Sequence, residues 1–141
     1  MSPVPLRRVF PWHPDAAEGE RFSAAFVPGG QGGNRFDLPG VARGVIYLAE
    51  SEEHAVAEKI QAYRNLPAPL SNDDLTEWGQ GLALVSATLV PEVWRHLADL
   101  CEPATLRDLG ITAETPALRN RERTRQLAVD LYAREYLGLR W

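Results

Sequence analysis

A chain of 141 residues with 45% hydrophobic side chains is long enough to bury one sizeable core and too apolar to remain disordered. Its 15 basic and 19 acidic side chains leave a net charge of −4, which argues against non-specific nucleic-acid binding. No apolar run approaches the roughly 20 residues of a membrane span, the start lacks a signal-peptide core, and the lone Cys101 excludes an internal disulfide, so a reducing cytoplasm is the expected location.

Residues 1–44 are rich in Pro and Gly, with a short strand expected at 7–10. Residues 27–33 must form a loop, because four glycines in seven positions cannot hold regular structure. Residues 45–49 read as a buried strand of β-branched and aromatic side chains, with Tyr47 at its middle. Ser51 is the expected N-cap of a helix over about 52–64, with Glu52 and Glu53 at its positive end. Val56, Ile60 and Tyr63 repeat at i, i+4, i+7 and define its apolar stripe. Glu58 lies about 160° from Ile60 and about 200° from Val56 on the helical wheel, so it points away from that stripe. Pro67 and Pro69 close the element.

In the second half, residues 82–90 are the best strand, ended or edged by Pro91, with a shorter extended piece at 93–97. Residues 103–109 suit a short helix stopped by Gly110. Thr115-Pro116 reads as an N-cap with Pro at the first helical position, opening a helix through Leu127 and Leu131 to about 137, with Gly138 at its end. Leu139-Arg140-Trp141 reads as the start of another strand.

Fourteen of the basic residues are Arg and only Lys59 is Lys. Arginine suits bidentate contacts to phosphate or carboxylate, although a high-GC genome produces the same bias. Arg35 follows the glycine loop, where its guanidinium and neighbouring backbone N–H groups could grip a diphosphate. A surface arginine on a linker is the plain alternative, and no Walker-type Gly-Lys-Ser/Thr follows the loop. Tyr47 is either a core tyrosine or a ring that stacks on a base or nicotinamide. Glu58 is either a solvated helix residue or a carboxylate that bonds a ribose hydroxyl and stabilises an oxocarbenium-like transition state.

His13, His54 and His96 stand 41 and 42 positions apart, without metal-ligand spacing, so no metal site is expected. His54 falls in the first turn of its helix and reads as a surface residue. Cys101 reads as small and buried. Ser86 stands outside any Gly-x-Ser-x-Gly elbow, which argues against a hydrolase nucleophile. Arg119, Arg121, Arg123 and Arg125 form a solvated face or a docking surface for an acidic partner.

Taken together these motifs resemble the RES domain, named for its Arg, Glu and Ser signature. The resemblance begins near Leu6-Arg7-Arg8-Val9-Phe10. It includes Gly-Gly-Asn-Arg-Phe-Asp-Leu-Pro at 32–39, Tyr-Leu-Ala-Glu-Ser at 47–51 and Ala-Val-Ala-Glu at 55–58. It extends over nearly the whole chain, with its specific block at about 32–58. It implies a single α+β domain over 1–141, a mixed β-sheet core with flanking helices, similar to ADP-ribosyltransferase toxins. It also implies a bacterial toxin neutralised by an Xre-type helix-turn-helix antitoxin, which consumes NAD+ as substrate by hydrolysis or phosphorolysis and needs no prosthetic group. A homodimer or a toxin–antitoxin hetero-oligomer is the implied assembly, without direct nucleic-acid or membrane binding.

By this resemblance Arg35 is the signature Arg, Glu58 the signature Glu and Tyr47 the tyrosine between them. Arg35 would hold the diphosphate with Gly33 of the loop beside it, Tyr47 would pack on the nicotinamide side, and Glu58 would hold the ribose hydroxyls. The family's Ser follows the last long helix, beyond a segment that here is Gly138-Leu139-Arg140-Trp141, and Ser86 does not match it. The expectation is therefore a fragment or a truncated member lacking its C-terminal strand, with the exposed sheet edge covered by a partner or the activity weakened. Two other readings stay open: an ADP-ribosyltransferase acting on a protein, and a non-catalytic module that binds nucleotide or antitoxin.

Overall fold

The computed structural model describes residues 3–27, 35–38 and 44–141. The protein is α+β, and it divides into two compact units. One takes its residues from Ser2–Val27 and Ile46–Leu89, the other from Pro28–Val45 and Val90–Trp141. The first is called the sheet unit below and the second the helical unit. The glycine loop expected at 27–33 falls, apart from Val27, outside the described residues.

The sheet unit is built on strand β1, Val4–Pro11, which pairs antiparallel with β3, Gln80–Leu89, from Val4↔Leu89 to Pro11↔Leu82. Strand β2, Thr76–Glu77, extends the sheet on the far side of β3. Period-two alternation puts Leu6, Arg8 and Phe10 on one face, where Leu6 and Phe10 are buried. Loop 12–27 covers that face with Phe22 and Phe26, and Trp78 joins them, its ring 6.3 Å from Phe10 and 6.1 Å from Phe26. Trp78 (φ 53°) and Gly79 (φ 75°) form the two-residue turn between β2 and β3, and both occupy the left-handed region that such a turn requires. A tryptophan there is strained, and its contacts with three phenylalanine rings offset the strain.

Arg8 runs beneath this aromatic layer. Its Nη1 donates to the carbonyls of Ala24 (3.2 Å) and Phe26 (2.9 Å), and its guanidinium lies 4.0 Å from the Phe10 ring centroid. Burial lowers its pKa from the usual guanidinium value, and the charge of Glu77 partly opposes this. A lowered value in a base penalises the charged folded form, and the penalty lifts only as pH rises through that value.

Residues 45–49 do not form the buried strand expected of them. Among the described residues the segment meets β1 through an isolated antiparallel bridge of Ala49 to Arg7, and residues 44–49 are half-buried. Apolar composition marked the segment, but β1 takes its ladder partner from β3, leaving a single bridge on the other edge. Helix α1, Glu52–Ile60, follows, with Ser51 as N-cap accepting from the His54 N–H at 3.1 Å, and a 3-10 turn continues over Gln61–Tyr63. The buried α1 residue is Ala55, whereas Val56 of the expected stripe is 39% exposed. A short helix resting on β1 meets it with its smallest side chain, which permits close approach.

The helical unit contains α2 (Pro91–Arg95), β4 (Leu97–Asp99), α3 (Pro103–Leu109), a 3-10 turn (Thr115–Ala117), α4 (Arg121–Ala133) and β5 (Gly138–Arg140). β4 and β5 pair in parallel, Leu97↔Gly138 to Asp99↔Arg140, and an Asp99–Arg140 ion pair of 2.9 Å closes the ladder. The extended piece expected at 93–97 is instead α2, because Pro91 stands at a helix start, where its missing N–H costs nothing. Gly110 ends α3 as expected, at φ 68°. Cys101, expected to be buried, is exposed.

Helix α4 differs from expectation at both ends. Thr115-Pro116 opens only the 3-10 turn, and the true N-cap is Asn120, whose Oδ1 accepts from the N–H groups of Glu122 and Arg123. At the other end Glu135 takes the left-handed conformation (φ 65°), so the helix stops before Gly138. Gly138 serves the sheet instead, since a Cβ there would stand 2.9 Å from Leu97 Cδ2. Thr124, Leu127, Ala128 and Leu131 form the buried stripe of α4 at i, i+3, i+4, i+7.

Three expected outcomes test these packing arguments by urea or thermal unfolding. Arg8→Met strands two carbonyls and should cost about 1–2 kcal/mol. Gly110→Ala should cost about 1 kcal/mol through backbone strain alone, since open space surrounds its Cβ. Gly138→Ala should cost less, because the obstructing atom is the tip of a flexible leucine.

Candidate active site

Arg35 belongs to the helical unit, while Tyr47 and Glu58 belong to the sheet unit. Gly33 lies outside the described residues. Each side chain is therefore built from its own surroundings.

Arg35 is half-buried and held at both of its ends. Its Nη1 donates to the carbonyls of Pro116 (3.0 Å) and Leu118 (3.1 Å), and its own carbonyl accepts from Thr124 Oγ1 at 2.6 Å. The segment leading into α4 thus offers turned carbonyls to the guanidinium, and the fully buried Thr124 fixes the backbone. Among the described residues Nε and Nη2 make no hydrogen bond, so an edge of the fork remains for a bidentate anion. The next two residues of the motif are structural. Phe36 is buried with its ring 4.8 Å from that of Trp141, and Asp37 is fully buried.

Tyr47 is half-buried in the non-ladder segment that leads to the Ala49 bridge. Glu58, on α1, is exposed, as the wheel geometry implied. Its Oε2 accepts from Gln61 Nε2 at 2.9 Å, and its Oε1 stands 3.8 Å from His54 Nε2. His54 is a surface residue, as read from the sequence, yet it shares the face of Glu58. The i−4 and i+3 spacing of His54 and Gln61 from Glu58 was the available signal for both. Thr124 and the carbonyls of Pro116 and Leu118 carried no such signal, being 81 to 89 positions from Arg35.

Two surface hollows are lined by other described residues. One, of about 480 Å³, is lined by Val56, Ala57, Ile60 and Leu84 with Glu52 and Glu53, and another, of about 440 Å³, lies along α4. Among the described residues no group of three or more His, Cys, Asp or Glu could hold a metal ion. No helix among them is long and apolar enough to cross a membrane.

The model of the RES domain family matches residues 5–141, essentially the whole chain. The chain belongs to the RES domain family. RES domains are known as toxin modules of toxin–antitoxin systems. No match was found among curated proteins or among solved structures. In this RES domain, the arginine is seated by α4 and the 3-10 turn and segment leading into it, and the helix-borne glutamate by its own helix.

Thr124→Val keeps the shape of the buried side chain and removes its bond to the Arg35 carbonyl. It should cost about 1–3 kcal/mol in unfolding measurements, because the accepting carbonyl loses its buried partner.

Proposed function

We propose that this chain is an NAD+-consuming toxin that cleaves the bond between nicotinamide and ribose, on an ADP-ribosyltransferase-like scaffold. The observation that carries this reading is membership of the RES family over residues 5–141, with Arg35, Tyr47 and Glu58 standing in the motif block. The open guanidinium edge of Arg35 and the accessible carboxylate of Glu58 support it.

In this mechanism Arg35 binds the diphosphate through Nε and Nη2 while Nη1 stays on its two carbonyls. Tyr47 packs on the nicotinamide side. Glu58 bonds the ribose hydroxyls as an ionised carboxylate. As the C1′–N bond breaks, its electron pair leaves with nicotinamide, which departs neutral. The positive charge left on the ribose is stabilised by Glu58, and this interaction strengthens only in the transition state. Water then adds to C1′ and releases a proton, giving ADP-ribose; phosphate in its place gives the phosphorylated sugar. An Xre-type antitoxin is the proposed neutralising partner, and the cytoplasm the proposed location.

The test is NAD+ loss and nicotinamide release by the 141-residue chain, with and without phosphate. Glu58→Gln should lower kcat by about 10²–10³-fold. Arg35→Lys should act mainly on KM, raising it about tenfold, because one point charge replaces a fork. Equal activity of Glu58→Gln and wild type would overturn the mechanism, and NAD+ binding without nicotinamide release would make the chain a binding module.

A further inference from the structure

The last turn of α1 contains a contact beyond the signature residues. Gln61 is the C-cap of that helix, and its backbone N–H is bonded to the Ala57 carbonyl. Its side-chain nitrogen donates twice to one residue, to the Glu58 carbonyl at 3.2 Å and to Glu58 Oε2 at 2.9 Å. Both partners are acceptors, so the amide must present its NH₂ and not its oxygen. The backbone carbonyl is a fixed point of the helix end. An amide anchored there holds the carboxylate in one rotamer and leaves Oε1 as its outward oxygen.

The neighbour of Oε1 is His54, at 3.8 Å, one turn earlier. The other charged groups around α1 are engaged elsewhere. From β1, Arg7 meets Glu52 at 3.4 Å, and from β2, Glu77 pairs with Lys59. Glu53 and Arg64 are exposed, and no bond to Glu58 involves either among the described residues. Glu58 therefore has two local partners, a neutral donor on Oε2 and an imidazole ring beside Oε1.

We propose that Gln61 is a positioning residue for Glu58: its amide pins Oε2 to the helix end, so that Oε1 is presented to substrate. This rests on the functional reading above, in which Glu58 meets the ribose. A glutamate left free must be ordered in each turnover.

The experiment compares kcat and KM for wild type, Gln61→Leu and Gln61→Lys. Gln61→Leu should lower kcat about three- to tenfold with KM little changed. Gln61→Lys supplies a donor of similar reach and should restore most of the rate, which a merely structural role at the helix end would not require. Unchanged kcat in Gln61→Leu, or no recovery in Gln61→Lys, overturns the proposal.

A second measurement needs no turnover. The side-chain amide resonances of Gln61 should move, and exchange faster with water, in Glu58→Ala. Unmoved resonances overturn the proposal even if the enzyme is active. If wild type releases no nicotinamide, the functional reading fails, and the amide resonances decide the pinning by themselves.

Discussion

Arg7 is the joint on which the sheet unit depends. Its backbone lies in the β1–β3 ladder opposite Ser86, and on the other edge it exchanges two hydrogen bonds with Ala49, of 2.7 and 2.8 Å. Its side chain then reaches Glu52 in the first turn of α1. One residue thereby sets where the chain returns after Tyr47, where Ser51 caps and which way α1 leaves the sheet. The position of Glu58 follows from that exit. The eight-residue register of β1 supports the joint, because a slip of one residue would turn Leu6 and Phe10 out of their face.

The helical unit solves a different problem with a different device. A parallel pair of strands needs a long crossover, and α3, the 3-10 turn and α4 supply it between β4 and β5. The buried stripe of α4 provides apolar cover, and its Thr124 turns from that stripe to hold the Arg35 carbonyl. The guanidinium is thus seated by carbonyls of the 3-10 turn and of the segment leading into α4. Arg35 depends here on backbone carbonyls that carry no side-chain identity.

The two halves of the motif also differ in how they are exposed to solvent. Phe36 and Asp37, beside Arg35, are buried and serve packing, whereas Glu58 stands out from its helix. An exposed carboxylate costs little to keep ionised but much to keep still. The two hydrogen bonds from the Gln61 side-chain nitrogen address that second cost within a single helical turn.

Short-range features were determined by the sequence itself. Ser51, the acidic first turn of α1, the Gly110 stop and the outward face of Glu58 all follow from caps, helical spacing and backbone sterics, which act over a few residues. The apolar run at 82–90 was enough to find most of β3, and the motif block was enough to find the family. Tertiary structure decided the choices between equivalent local options. Asn120 caps α4 instead of Thr115, Glu135 ends it before Gly138, and Gly138 is a glycine because Leu97 packs against it. Residues 45–49 read as a strand until β1 takes β3 as its ladder partner. The seat of Arg35 could not be read at all, because its partners are carbonyls and a threonine more than 80 positions away, and only chain folding brings such groups together.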